Sequence, residues 1–192
     1  MKIYDISQEV FSCAIYPGDP KPQRQVLSAT AAGDLYNLTG LSLCAHNGTH
    51  VDAPTHFLAE GRTLDQVPVE AFVGECLVVR HAGDVTAEDA EKMLAKLADI
   101  QRLLIAGPAT VTREAAHVFA DAKLLLVGNE SQSVGPEDAP VPVHKILLGN
   151  NVTLLEGIVL TAVPEGKYIL SAAPLNLGGA DGAPCRAVLI EL

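Results

Sequence analysis

Four side chains with the chemistry of metal ligands and proton carriers lie close together in the first third of the chain. They are His46, His50, Asp52 and His56, which fall within one stretch of eleven residues. Imidazole nitrogens and carboxylate oxygens are ligands of zinc, manganese and iron. His46, His50 and Asp52 therefore predict a metal site. Three protein ligands leave coordination positions open for water, as catalytic sites require and structural sites do not.

The fourth side chain of this stretch suits proton transfer. A divalent ion acidifies the water that it binds and makes it a nucleophile near neutral pH. The unperturbed pKa of histidine is about 6.5, so His56 can both accept and donate a proton near that pH. The stretch therefore predicts a hydrolytic site with His56 as general acid/base.

The backbone of this stretch is predicted to be a strand end that leads into a tight loop. On a helix, His46 and His50 would share one face because they are four residues apart. However, Asn47-Gly48 is a turn signal and Pro54 does not fit a helix interior. In an extended stretch, His50 and Asp52 would share a face.

Length, charge and cysteine content restrict the class of protein. The chain has 192 residues, 48% hydrophobic, which is enough for a sizeable core and excludes a disordered chain. Its 13 basic and 23 acidic residues give a net charge of −10, which disfavours nucleic acid and anionic membranes and suits a small-molecule substrate. No signal peptide, membrane-length apolar run or Cys-x-x-Cys pair is present, so we expect reduced thiols and a cytoplasmic location.

Hydrophobic patterning predicts one α/β domain over residues 1–192 with a mixed β-sheet. Helices are expected to start at Thr86 and Thr112, which can cap them, and to cover residues 142–148. Strands are expected at residues 1–6, 25–31, 36–46, 73–80, 103–106, 123–128, 152–155, 157–161, 167–173 and 186–192.

The string from His46 to Phe57, His-x-Gly-Thr-His-x-Asp-x-Pro-x-His-Phe, resembles the motif of the cyclase family of metal-dependent hydrolases. That family includes bacterial kynurenine formamidases and isatin hydrolases. The resemblance implies that His46, His50 and Asp52 bind metal and that His56 donates and accepts the proton. It also implies a fold of the swivelling β/β/α type and a homodimer or higher oligomer, with the neighbour's N-terminal loop near the active site.

Further positions match the same family. In its binuclear members a later His and a Glu twelve residues beyond it complete the site, and His144 and Glu156 have this spacing. The resemblance therefore implies one or two divalent ions, zinc or manganese, with Asp52 and Glu156 able to bridge them. Tyr16, in Tyr-Pro-Gly-Asp-Pro, resembles an aromatic that packs on the substrate.

The sequence also departs from the family. Many kynurenine formamidases carry Trp where this chain has Tyr16. The family's Gly-x-Asp-x-x-Ser reads Gly-Asn-Glu-Ser-Gln-Ser over residues 128–133, without the Asp. These changes leave the metal chemistry intact, but they leave open which substrate the protein binds. The tail segment 179–182, Gly-Ala-Asp-Gly, also looks like the family and is interpreted as a turn between two closing strands, without a catalytic role.

The leading hypothesis is a hydrolase that cleaves a small amide, a formamide or a cyclic amide or ester with metal-activated water. One alternative is a non-catalytic, metal-dependent binding protein for a small acidic metabolite. Another is a thiol enzyme that uses Cys44, although a small buried side chain is the simpler interpretation of that residue. His81 and His117 lie outside every motif and are interpreted as surface residues.

Overall fold

The computed structural model describes residues 1–191. Its helices are α1 (Ala87–Leu94), α2 (Arg113–Asp121) and α3 (Val141–Gly149). The strands are β1 (Ile3–Asp5), β2 (Gln23–Ser28), β3 (Leu38–Ser42), β4 (His50–Asp52), β5 (Val73–Arg80), β6 (Gly83–Val85), β7 (Arg102–Ala106), β8 (Ala109–Val111), β9 (Leu126–Asn129), β10 (Thr153–Glu156), β11 (Gly166–Ser171), β12 (Gly182–Pro184) and β13 (Val188–Glu191).

Nine of these strands form one sheet in the order β1-β13-β11-β5-β7-β9-β10-β4-β12. The central strands β5, β7, β9 and β10 run parallel to one another, and antiparallel strands extend the sheet on both sides. This arrangement confirms the predicted α/β class and the mixed sheet. The site described below lies where the parallel part ends, between β10 and β4.

Both faces of the central sheet are buried. On β5, Leu77 and Val79 point into a core formed with the three helices, whereas Cys76 and Val78 point into a second core on the opposite face. Strands that are covered on both sides need apolar residues at successive positions. This explains why the central strands were recognisable in the sequence as continuous apolar runs.

The helices begin as the sequence predicts. Thr86 caps α1 through its hydroxyl and forms a capping box with Asp89, and Thr112 caps α2 by accepting from the Ala115 amide. Phe119 of α2 and Leu147 of α3 are fully buried against the sheet. These contacts hold α3, which carries His144, against the edge of β10.

Some predicted boundaries were wrong. No strand forms at residues 157–161 within the described chain: Gly157 has a φ of +65°, and the amide of Leu160 donates to the carboxylate of Glu130 (2.7 Å) rather than to a neighbouring strand. The strand expected at 36–46 ends at Ser42, and residues 50–52 form a strand of their own. The strands β6, β8 and β12 were not predicted. The last residue of the strand predicted at 186–192 lies outside the described residues.

The β2–β3 hairpin forms a separate two-stranded sheet that stands away from the core. It exposes an unusual number of large apolar side chains together with the loop that joins its strands. These are Val26, Leu27, Leu35, Tyr36, Leu38 and Leu41. Within residues 1–191, none of the helices is both long and apolar enough to cross a membrane.

Candidate active site

The deepest part of the candidate site is built on paired strands. β4 lies between β10 and β12, with His50 directly opposite Glu156 and Asp52 opposite Leu154. Because side chains alternate along a strand, His50, Asp52 and Glu156 project from the same face of the sheet. α3 brings His144 over them. We call His50, Asp52, His144 and Glu156 the floor; all four are at least 96% buried.

Backbone carbonyls fix which ring nitrogen of the two floor histidines is free. A carbonyl oxygen only accepts, so Nδ1 of His50 donates to the Gly48 carbonyl and Nδ1 of His144 donates to the Pro140 carbonyl, each at 2.9 Å. The Nε2 atoms therefore face the carboxylates. Nε2 of His50 lies 3.4 Å from Oδ1 of Asp52 and 3.5 Å from Oε2 of Glu156. Metal-ligating histidines are oriented in this way.

The floor carboxylates fit a cation. Asp52 is fully buried, and its Oδ2 has no hydrogen-bond partner although it lies 3.7 Å from Nε2 of His144. Glu156 accepts from the Val134 amide (2.7 Å) and lies 3.2 Å from His144. Two buried carboxylates with an unpaired oxygen are costly without a counter-charge. One or two divalent ions would supply that charge, and this donor set suits them.

The outer part of the site is built on loops and on a short 3-10 helix, Pro54–His56, that carries His56. We call His46, His56 and Asp181 the rim. His46 lies 2.9 Å from Asp52 through Nδ1, and its ring stacks on that of His56 with centroids 4.0 Å apart. Asp181 lies against both rings, 3.0 Å from Nε2 of His46 and 3.3 Å from Nδ1 of His56.

Turns and a glycine allow this convergence. The amide of Asn47 donates to the Cys44 carbonyl and its side chain accepts from the Cys44 amide, which forms a tight turn that presents His46. Gly48 follows with a φ of +66°, a conformation that favours glycine. Gly182 is also required, because a Cβ there would lie 2.6 Å from the Val51 carbonyl and 2.8 Å from the His46 ring.

The carboxylates shift the pKa values of the histidines. Burial lowers the pKa of His46, but hydrogen bonds to Asp52 and Asp181 outweigh it and raise the pKa to about 10. His50 and His144 are also raised in pKa: burial opposes the shift, and Glu156 leads the groups that favour it. The carboxylates therefore favour the protonated forms of His46, His50 and His144.

His56 differs from the other histidines of the site. Burial lowers its pKa, and the charges of His46 and His144 lower it further against the pull of Asp52 and Asp181. A neutral imidazole at neutral pH is free to accept a proton. His56 is also partly open, with 26% of its side chain exposed.

A small cavity of about 190 Å³ opens onto the floor and the rim histidines. Beyond the histidines and Glu156 it is lined by Tyr16, Asp19, Phe57, Gln132, Ser133 and Pro140. The Tyr16 hydroxyl donates to the Glu137 carbonyl (2.7 Å), which holds its ring at the cavity wall. A larger groove of about 650 Å³ lies elsewhere, between the 5–11 and 173–186 segments, and none of its lining residues in the described chain is a histidine.

The structure brings together all seven residues that the sequence singled out. They are Tyr16, His46, His50, Asp52, His56, His144 and Glu156. It adds Asp181, which the sequence placed in a turn without a role. The departure at residues 128–133 is structural: Glu130 stands where the family has Asp and accepts from the Gly107 and Leu160 amides. Cys44 is half-buried, with its thiol 3.8 Å from Asp19.

Comparison with known proteins decides the family. The family model Cyclase, described as "Putative cyclase", matches residues 4–136. The protein belongs to the cyclase family. A kynurenine formamidase of Salinibacter ruber is 37% identical over 206 aligned residues, which cover 98% of this chain and 97% of that protein.

Solved structures agree with this family. A potential metal-dependent hydrolase with cyclase activity is 28% identical with a TM-score of 0.83, covering 98% of this chain and 96% of its own. An isatin hydrolase A from Labrenzia aggregata shares the fold, with a TM-score of 0.82 at 21% identity over 98% of this chain and 93% of its own. This member of the family is a metal-dependent hydrolase that acts on carbon–nitrogen bonds other than peptide bonds.

Proposed function

We propose that this hydrolase cleaves the formamide of an N-formylated aromatic amine of the N-formylkynurenine type, releasing formate and the free amine. The similarity to a kynurenine formamidase across nearly the whole of both chains supports this substrate class. The observation that carries the proposal is the position of the cavity. It is lined by Glu156 and the histidines of the floor and rim, and also by the aromatic rings of Tyr16 and Phe57.

His46, His50, Asp52, His144 and Glu156 are the proposed metal ligands, and zinc or manganese is the proposed metal. The unpaired Oδ2 of Asp52 supports this proposal, because a buried carboxylate oxygen without a partner is costly unless a cation balances it, and these five side chains would hold one or two ions. Bound divalent ions acidify water and polarise the formyl carbonyl. The protein's own part in that chemistry is to hold Nδ1 of His50 and His144 on backbone carbonyls, so that Nε2 of each ring points inward as the ligating nitrogen.

His56 is the proposed general acid/base. It takes the proton released when water adds to the formyl carbon, and it delivers that proton to the leaving nitrogen as the carbon–nitrogen bond breaks. The products are formate and the amine, so water is the only co-reactant consumed. His56 lines the cavity and contacts Phe57 edge-on at 4.5 Å between ring centroids, which supports a place beside the leaving group.

Tyr16 and Phe57 are the proposed supports for the aromatic ring of the substrate. Tyr16 is held by its hydroxyl, and Phe57 by its packing against His56 and His144. Two aromatic rings in the wall of a cavity of about 190 Å³ favour a flat aryl group. The contacts of Phe57 with His56 and His144 support a scissile bond close to these histidines.

The test is turnover by purified protein loaded with zinc or manganese, on N-formylkynurenine, isatin and a simple lactone. We expect the formamide to be hydrolysed fastest, activity to disappear with a chelator and return with metal, and His56→Ala to abolish it. Turnover that survives both the chelator and His56→Ala would refute the mechanism. Tight metal binding without turnover of any of the three substrates would favour the binding protein for an acidic metabolite.

We also propose that residues 1–192 act as one domain and assemble as a homodimer in the cytoplasm. The exposed apolar side chains of the β2–β3 hairpin support an interface there, because large apolar patches on soluble proteins are commonly covered. The four cysteines, all free thiols, suit a reducing compartment. Light scattering at several concentrations and fractionation of the source cells test the two statements.

A further inference from the structure

Each imidazole of the site commits one ring nitrogen to an oxygen atom, which determines the nitrogen left for chemistry. Backbone carbonyls take Nδ1 of His50 and Nδ1 of His144. Among the described contacts, no backbone carbonyl accepts a hydrogen bond from His46 or His56. Instead, a single carboxylate oxygen, Oδ2 of Asp181, faces Nε2 of His46 and Nδ1 of His56.

We propose that Asp181 is a positioning residue that holds His46 and His56 in the tautomers and ring orientations that the reaction needs. This inference rests on the proposed roles of those two histidines. Asp181 accepts the Nε2 proton of His46, which leaves Nδ1 of His46 facing Asp52 and the floor. It also accepts the Nδ1 proton of His56, which leaves Nε2 of that ring for proton transfer in the cavity.

The stacking of the two rings explains why one carboxylate can serve both. The His46 and His56 rings lie nearly parallel, at 27° with centroids 4.0 Å apart, so their edges present nitrogens to the same point. Asp181 occupies that point, and its side chain is 48% exposed. A carboxylate accepts more strongly than a carbonyl, and a partner of this kind raises the basicity of the ring and fixes its orientation.

The position of Asp181 is set by its backbone. Its carbonyl accepts from the Ala53 amide (2.8 Å), one residue after Asp52, and the carbonyl of Ala180 accepts from the Leu64 amide (2.8 Å). Directly after it, Gly182 pairs with Asp52 as β12 joins β4. The carboxylate is therefore fixed relative to the floor, although it lies on a loop.

The substitution Asp181→Asn tests the proposal, because it removes the charge and keeps the size. At saturating metal, we expect kcat for formanilide to fall roughly 10–100-fold with KM changed less than about twofold, since Asp181 does not line the cavity. The metal affinity, measured by competition with a chelating dye, should weaken by roughly 10–100-fold through His46. Asp181→Glu should restore part of both.

A second substrate separates positioning of His56 from general damage. The phenolate of p-nitrophenyl formate leaves without a proton, whereas the aniline of formanilide needs one. The loss caused by Asp181→Asn should be at least about fivefold smaller on the ester than on the formamide. An equal loss on both substrates would overturn the role at His56.

A matched control, Asp65, contacts the same loop from another segment, Leu64–Gln66. Asp65 accepts from the Gly179 amide (2.9 Å) and so supports the 178–181 segment without facing either histidine. Asp65→Asn should leave kcat within about twofold of wild type. A loss as large as that of Asp181→Asn would mean that Asp181 only supports the loop.

If wild type hydrolyses formanilide and His56→Ala does not, but Asp181→Asn matches wild type, this inference fails while the proposed function stands. If His56→Ala turns over as fast as wild type, the proposed function itself fails.

Discussion

The floor and the rim of the site contain similar residues in different surroundings. The floor side chains are at least 96% buried and lie on strands and an α-helix, whereas those of the rim are 13–48% exposed and lie on loops and a short 3-10 helix. On the floor, carboxylates meet imidazoles whose remaining nitrogens are held by the backbone. Burial there makes a counter-charge obligatory, and exposure at the rim leaves room for protons and substrate. The difference fits the proposed roles: the floor supplies four of the five proposed metal ligands, and the rim supplies the fifth, His46, together with the proposed proton carrier His56.

The largest expected effect comes from the floor. Asp52→Asn removes a proposed metal-ligating carboxylate and puts an amide donor among the imidazoles. We expect stoichiometric metal to be lost in elemental analysis and turnover to fall by roughly a thousandfold or more.

Glu130→Gln is the matched control for Asp52→Asn, because Glu130 is a carboxylate that binds only backbone amides, those of Gly107 and Leu160. Glu130→Gln should lower the free energy of unfolding by about 1–3 kcal/mol and leave the metal content unchanged. If Asp52→Asn kept its full metal content, Asp52 would not be a required ligand, and the distinction between floor and rim would fail.

At the rim, His56→Ala should leave the metal content unchanged and lower kcat by roughly 100- to 10,000-fold. The ring is stacked on His46 and half-open to the cavity, so its removal does not uncover a floor carboxylate. Elemental analysis and steady-state kinetics on the same preparation check both parts. Loss of metal along with activity would make His56 a ligand rather than a proton carrier.

Metal binding should release protons. His46 has a pKa of about 10 in the metal-free protein and is therefore protonated at pH 7. A ligating imidazole must give up the proton on its ligating nitrogen, so affinity should fall as the pH is lowered from 8 to 6. Calorimetry in two buffers of different ionisation enthalpy at pH 7 should show at least about one proton released. Equal heats in both buffers would contradict this.

The smallest effect on chemistry is expected from the hairpin. Leu27→Lys places a charge on the exposed apolar face and should shift the sedimentation profile towards monomer, with unchanged metal content because the floor lies within one chain. Val69→Lys, at a similarly exposed valine on the body of the protein, is the control. Identical profiles for both variants would argue against an interface at the hairpin.

The sequence predicted the floor better than the rim. The alternation around His50 and Asp52 was readable because side chains on a strand alternate, and β4 follows this rule. His144 and Glu156 came from their twelve-residue spacing in a family motif rather than from local patterning. Asp181 was missed because its contact with His46 spans 135 residues and depends on the pairing of β12 with β4. Local sequence propensity does not determine which strands pair, so it could not predict that β12 lies beside β4.

The fold was readable where burial alone determines the pattern. The central strand β5 was placed correctly because both of its faces are covered. The error at residues 157–161 has a different origin. The amides of that apolar run find separate acceptors instead of one strand: Ile158 donates to the Asn129 carbonyl, Val159 to the Ile6 carbonyl, and Leu160 to the carboxylate of Glu130. When a side chain such as Glu130 replaces a hydrogen bond between strands, the hydrophobic pattern of the sequence does not reveal it.

The pairing of β12 with β4 also bears on the order of events during synthesis. The ribosome makes His50 early and Glu156 106 residues later. Strand β12, which directly follows Asp181 and pairs with β4, is the second-to-last strand of the chain. At about 5–20 residues per second, roughly ten seconds pass between the first proposed ligands and the last. A nascent chain thus exposes an incomplete chelator until its C-terminal strands close the sheet, and stable metal capture would report that folding is complete.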